Sequence, residues 1–378
     1  MSAVTSNPRY DVLKVIQTHV NLLKPFVARR AVICSGEYLT NILMKWSLLD
    51  KMKDVLPVFV GKSREEVKRW TKNRFDDYNI LALKTETVTG FWFDVFPQAA
   101  EDDFLAKQLR NRTLQRLQNV VLLSLTWDGV SSGLMPALIS LFKNWNVNNL
   151  TMAIMPSATQ PSDAHFNSLS AIGKSLSENV PILLVERDAL EEYVGVSRDG
   201  TIIRGSEVIN YVLEIILGGE SFVNEIIQLS KSHKVRKYTI LPVIGASLEL
   251  YGSLENMLDS VFLRPLLSFD LRDATVACII LRMPIRLKDE IPKDDLELSL
   301  AKWFKKRGKL RSIHVCEPLY VNDLNDRIDM LALVGGFATT ELFGALIKEV
   351  EETKNYAVEQ KRMEKEEWNK IVKNLTGT

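Results

Sequence analysis

The stretch Asn119–Pro136, NVVLLSLTWDGVSSGLMP, runs from an unbroken apolar segment through a short loop into a helix-spaced apolar segment, ALISLFKNW. A strand that ends in a Gly/Ser-rich loop and turns into a helix is where many α/β proteins hold a phosphate, because the helix offers free N–H groups and the positive end of its dipole. Here Trp127 and Asp128 stand where a phosphate cradle wants bare backbone and no negative charge. Three readings are open: a working anion site, an altered one, or a plain strand-to-helix turn.

Working outward, short apolar runs alternate with amphipathic segments. The runs at Ala31–Cys34, Leu56–Val60, Tyr78–Leu83, Asn119–Leu125, Leu150–Met155 and Val180–Val185 read as strands, with helices predicted over about 37–49, 63–74, 101–117, 133–145 and 162–177. Ser63 with Glu66 three residues on forms a capping box for the second helix. This alternation predicts an α/β fold with a doubly wound parallel sheet, preceded by a helix over Pro8–Val27.

After Arg204 the rhythm changes. GSEVINYVLEIILGG reads as a helix stopped by Gly218 and Gly219, followed by a short helix over about 221–231. Strands at 236–243, 274–283, 310–316 and 327–334 are interleaved with helices at 254–263 and 293–306, which predicts a smaller α+β domain with a partly antiparallel sheet. The expected division is 1–203, 204–232, 233–336 and a helical tail over 337–378. In that tail the start should pack, while the charge-rich far half should be solvated or await a partner.

Composition bounds the function. With 378 residues, 46% of them hydrophobic, and a net charge of +1, the chain should bury a large core, which argues against disorder and gives no general basic surface for nucleic acid. Cys34, Cys278 and Cys316 show no CxxC spacing, and His19, His165, His233 and His314 no HExxH spacing, so the sequence supports neither a disulfide frame nor a metal site. No apolar run has the length of a signal core or a membrane span, and a cytoplasmic protein is expected.

In a doubly wound sheet, ligands lie beyond the carboxyl ends of the strands. The loops so selected are Ser35 and Gly36, Gly61–Ser63, Lys84–Phe96, Thr126–Gly133, Pro156–Asp163 and Glu186–Asp188. The VGKS ending at Ser63 is not a P-loop, since Leu56 stands where the first glycine is required. There is no GxSxG, GxGxxG or paired catalytic carboxylate, which weighs against hydrolase and Rossmann dehydrogenase readings.

The order of elements and several phrases together resemble the tubulin/FtsZ superfamily, including its TubZ and archaeal FtsZ-like branches, from roughly residue 30 to the C-terminus. Trp127–Gly133 is similar to the tubulin signature GGGTGSG, keeping Gly129, Ser132 and Gly133. Ser131 lies within the same stretch, and Ser35 and Gly36 fall in the first nucleotide loop, which keeps a single glycine. Pro156, Ser157, Ser162 and Asp163 match the sugar-contacting loop, and Asn210 the base-contacting asparagine of the central helix. In ERDAL, Arg187 stands where an asparagine reading guanine is expected; arginine can stack on a base but cannot accept from it. The acidic loop that orients water across a subunit junction matches Asn224, with Glu225 one step out of phase and Ile226 in the acid's place.

The resemblance implies a cytoskeletal protein that assembles head to tail into filaments, holding GTP or GDP with Mg²⁺ in an altered pocket, with weak or absent GTP hydrolysis. Its partners would be itself or a related tubulin/FtsZ-like protein, with an adaptor on the C-terminal helix. A second reading is a non-polymerising pseudo-GTPase scaffold or regulator with an empty pocket. A third is a small-molecule enzyme on an unrelated doubly wound fold. On structural grounds alone, Asn210 could be a surface helix residue, Asn224 and Glu225 a helix cap and first turn, and Gly129–Gly133 a tight turn.

Overall fold

The computed structural model describes residues 30–46, 54–76, 79–83, 90–101, 106–109, 117–261, 264–308, 310–323 and 325–377. The helix expected over Pro8–Val27, His19, the first six residues of the loop expected over Lys84–Phe96 and most of the helix expected over 101–117 lie outside these residues, and from Trp92 that loop is instead helical.

The apolar runs become β1 (Arg30–Ser35), β2 (Val55–Gly61), β3 (Ile80–Ala82), β4 (Asn119–Leu125), β5 (Asn148–Met155) and β6 (Ile182–Glu186). All six are parallel, in the order β3-β2-β1-β4-β5-β6. Both faces are covered, so the strands need no polar alternation. Ala31, Ile33, Val120 and Leu122 bury on one face, and Val32, Cys34, Val121 and Leu123 on the other. The connecting helices are α1 (Glu37–Leu43), α2 (Arg64–Trp70), α3 (Trp92–Glu101), α4 (Gly129–Asn144), α5 (Ser162–Leu176) and α6 (Arg187–Glu191). Ser63 caps α2 as expected, accepting from the Glu66 N–H at 3.1 Å while Glu66 accepts from the Lys62 N–H at 3.1 Å.

An antiparallel hairpin, β7 (Val194–Val196) and β8 (Ile202–Arg204), leads into the central helix α7 (Val208–Gly218) and then α8 (Phe222–His233). The remaining strands are β9 (Lys237–Ser247), β10 (Val276–Pro284), β11 (Ser312–Val315), β12 (Leu319–Val321) and β13 (Arg327–Gly335). They continue the same sheet: β9 pairs with β6, and beyond it follow β13, β10 and β11. β13 runs antiparallel to both β9 and β10, while β11 is parallel to β10. The expected mixed sheet is present, with β11 and β13 on opposite sides of β10 rather than joined as neighbours.

The seam between β6 and β9 is two pairs long, Ile182 with Lys237 and Leu183 with Tyr238. The strands then part around buried Leu266, whose N–H donates to Ile240 O at 2.9 Å and whose carbonyl accepts from the Glu186 N–H at 2.7 Å. A register shift between Ile328 and Met330 marks a bulge in the β9–β13 pairing. There the fully buried Asp329 accepts from the Gly245 N–H at 2.7 Å and from Arg282 Nε at 2.7 Å. Arg282 also bonds Glu214 of α7, and Arg198 of the β7–β8 turn bonds Asp323 and the Arg282 carbonyl. One buried charge network thus ties the hairpin, the central helix and the C-terminal strands.

Three short helices, α9 (Leu248–Tyr251), α10 (Leu254–Val261) and α11 (Leu287–Glu290), and a longer one, α12 (Lys293–Arg307), follow β9 and β10, and the last helices are α13 (Thr340–Glu349), α14 (Glu351–Glu359) and α15 (Lys365–Thr376). The expectation of a solvated far tail is overturned. Trp368, Ile371 and Leu375, spaced three and four apart among lysines and glutamates, form one buried face of α15 on α5, with Trp368 stacked on Phe166 at 5.5 Å and Lys174 paired to Glu367 at 2.6 Å. Among the described residues, no helix is long and apolar enough to cross a membrane.

Candidate nucleotide-type pocket

The strand order reverses between β1 and β4, and a cavity of about 580 Å³ opens beyond the carboxyl ends of β1, β2 and β4. That volume lies within the usual ligand range of roughly 300–1,000 Å³. Gly36, Glu37, Tyr38 and Asn41 line it from the β1–α1 turn, and Val60, Glu66 and Trp70 from β2 and α2. Leu125, Trp127, Asp128, Val130 and Ser131 come from β4 and α4, and Arg187 from α6. Gly36 turns the chain at φ 101°, and a Cβ there would lie 2.5 Å from Leu125 Cδ1.

The phosphate-loop expectation for Thr126–Gly133 changes in an instructive way. α4 begins at Gly129, four residues earlier than predicted, because Asp128 caps it: the Ser131 N–H donates to Asp128 Oδ1 at 2.6 Å. A phosphate would take these same amides. The seat for an anion is therefore filled by the chain's own carboxylate. Burial pushes the Asp128 carboxyl above its ordinary value, the amides of Ser131 and Val130 pull it back, and the Glu66 charge adds to the rise. With Glu37, Glu66 and Asp128 set against Arg187 alone, the lining carries three carboxylates and one cation.

The Arg187 guanidinium lies 5.2 Å from the Tyr38 ring centre and 5.5 Å from that of Trp127, and the two rings meet edge-on at 5.9 Å. Glu191 fixes this wall by accepting from Arg187 Nε at 3.1 Å and from the Tyr38 hydroxyl at 3.3 Å. Its flat faces can stack a ring.

Of the residues selected from sequence, the fold brings Gly36, Asp128, Ser131 and Arg187 together on the cavity. Ser35, Gly129 and Ser132 are buried next to them without lining it. Gly133 faces α3, where a Cβ would lie 2.6 Å from Val95 Cβ, 2.8 Å from the Trp92 carbonyl and 2.9 Å from the Phe96 nitrogen. Gly133→Ala should therefore cost about 1–3 kcal/mol of stability by overpacking, read as a lowered denaturation midpoint. A midpoint unchanged from the parent would show that α3 yields freely.

Pro156 and Asp163 lie off the cavity: the Ala158 N–H donates to Asp188 at 2.9 Å, while Asp163 accepts from Thr353 of α14 at 3.0 Å. Asn210 is buried, not on the surface, and donates to the Ile42 carbonyl at 3.0 Å, fastening α7 to α1. Asn224 and Glu225 sit at the other end of the sheet. Asn224 faces Asn148, the first residue of β5, at 3.5 Å, and Glu225 meets His314 of β11 at 2.7 Å. The strands separating them from the cavity are seven or eight residues long, about 23–26 Å at ~3.3 Å per residue. Sequence reasoning passed over Glu37, Tyr38 and Glu66; strand ends alone pointed to the first two, and Glu66 was absorbed by its capping role.

No family model and no curated protein matches this sequence. Solved structures do match in fold. CetZ from Methanosaeta thermophila aligns at a TM-score of 0.65 and 10% identity, covering 90% of this chain and 97% of that one. CetZ1 from Haloferax volcanii, a GDP-bound monomer, aligns at 0.66 and 15% identity, covering 86% and 99%. CetZ2 from Haloferax volcanii, a GTPγS-bound protofilament, aligns at 0.66 and 16% identity, covering 87% and 99%. The chain has the tubulin/FtsZ-like fold.

Proposed function

We propose that this chain is a cytoplasmic, tubulin/FtsZ-like cytoskeletal protein that assembles head to tail, with an altered guanine-nucleotide pocket and weak or absent GTP hydrolysis. The observation that carries the reading is Asp128: a cavity at the strand-order reversal is kept, while its helix amides are held by an internal carboxylate. GTP or GDP would find a cavity of suitable size and a stacking wall, but no free anion seat. Mg²⁺ beside a phosphate would face Asp128 and Glu66.

Head-to-tail assembly is supported by the distance between the cavity and the start of α8. No residue of α8 can reach its own chain's cavity, whereas a second copy stacked on the first would bring the two ends together, and such a heterologous contact grows open polymers. The fold neighbours titled as a GTPγS-bound protofilament and a GDP-bound monomer are consistent with this reading. It also keeps the division of the chain at residues 203, 232 and 336. Glu225, engaged with His314, is not free to orient water.

Sedimentation and electron microscopy of the purified chain with GTP, GDP or no nucleotide test the proposal. Filaments whose growth is accompanied by little phosphate release are expected. Rapid, sustained phosphate release would contradict the altered pocket, and the absence of polymer under every condition would point to the non-polymerising scaffold.

A further inference from the structure

A second cluster lies at the far end of the sheet from the cavity. Cys278 of β10 pairs in register with His314 of β11, and the Cys316 N–H, two residues on, donates to the Ile279 carbonyl at 2.9 Å. Side chains two apart on a strand share a face, so His314 and Cys316 point the same way, toward α8. From the first turn of α8, Glu225 presents Oε2 to His314 Nε2 at 2.7 Å, and its Oε1 accepts from Ser221 Oγ at 2.5 Å. The ligand atoms of Glu225, His314 and Cys316 all lie within 4.8 Å of one another, and Cys278 Sγ is 3.6 Å from Cys316 Sγ.

We propose that Cys278, Cys316, His314 and Glu225 form a zinc site. Glu225, His314 and Cys316 supply three converging donors, and Cys278, which lies against Cys316 but outside that group, becomes the fourth by a turn of its thiol; two thiolates and an imidazole favour zinc over magnesium or calcium. Two sulfurs bound to one tetrahedral zinc at ~2.3 Å stand about 3.8 Å apart, close to the separation here. Both cysteines are fully buried, while Glu225 and His314 are half-buried, so the metal enters from their side. On binding, zinc–sulfur bonds form as both thiols release their protons to solvent, and the proton held between His314 and Glu225 leaves with them. The imidazole and carboxylate swing apart by about 0.6 Å to reach a common metal at ~2.0–2.1 Å each. Ser221 holds the carboxylate from behind. The metal would pin the first turn of α8 to the β10–β11 edge. Chain spacing hid the set, because its members come from residues 225, 278, 314 and 316.

Elemental analysis of the full chain, purified from zinc-supplemented medium without chelator, should find about one zinc per chain. Replacement by Co²⁺ should give a thiolate-to-cobalt charge-transfer band and the strong visible bands of a tetrahedral site. His314→Gln leaves the cysteine core intact and should lower zinc affinity at least tenfold with unchanged circular dichroism. Cys316→Ser should abolish the charge-transfer band, and Cys34→Ser, in β1, should change nothing. Three results overturn the site: no uptake of either metal, stoichiometric zinc surviving in His314→Gln at parental affinity, or a Cys278–Cys316 disulfide recovered from the native protein.

Discussion

Replacing Asp128 with asparagine is expected to tighten GTP binding by about ten- to a hundredfold. Asparagine caps a helix about as well as aspartate, so α4 keeps its start. What changes is the charge. Two unit charges about 4 Å apart repel by roughly 4 kcal/mol at the effective dielectric of a protein surface, and about a third to two thirds of that, left after screening, gives the stated range. Asp128 is half-buried and its carboxyl is already raised by desolvation and by Glu66. An incoming phosphate would raise it further, so the parent protein should bind GTP more tightly as pH falls and Asp128 takes a proton. The asparagine variant should lose that part of the pH dependence. Titration with a fluorescent GTP analogue across acidic and neutral pH reads both effects. Weaker binding in Asp128→Asn, seen only when Mg²⁺ is present, would instead make the carboxylate a metal contact and sink the blocked-seat reading.

The second large effect is expected far from the pocket, at Asp329. Its carboxylate accepts from Arg282 and from the Gly245 N–H, both within the fold. Asp329→Ala leaves Arg282 with Glu214 as its remaining carboxylate partner and orphans the bulge amide. Breaking a buried pair by removing one member costs about 3–5 kcal/mol, a large share of the 5–15 kcal/mol that typically holds a domain. Chemical denaturation should show this as a lowered midpoint with a similar slope. Asp329→Asn, which can still accept from Gly245, should recover part of the loss. A cost under about 1 kcal/mol in the alanine variant would mean that water enters the bulge and replaces the carboxylate.

Much of the fold was readable because strands buried on both faces appear as unbroken apolar runs, as in NVVLLSL. The hairpin β7–β8 escaped notice for the converse reason: it is three residues long on each side, with Val194 and Ile202 exposed. α3 was hidden by Pro97 and by the aromatic-rich run WFDVF, both within it. The early start of α4 was hidden by its own chemistry, since Gly129, Ser131, Ser132 and Gly133 look like loop until the Asp128 cap is recognised. In α15 the sparse apolar residues were visible, but composition was given more weight than their spacing. The pocket was half legible. Strand ends led to Gly36, Asp128 and Arg187, whereas no sequence rule could reveal that Gly133 serves a helix contact or that Asn210 serves α1.

The parting of β6 and β9 around Leu266 makes the molecule a lever. Only Lys237 and Tyr238 of β9 are clamped to β6, and the nine residues from Thr239 to Ser247 extend about 30 Å beyond the clamp at ~3.3 Å each. A twist of about 10° at the clamp would carry the far tip through about 5 Å over that arm. Leu266, bonded to both strands, is the gusset in the fork, and its removal would soften torsion between the two ends of the sheet more than it would change the contacts at either end.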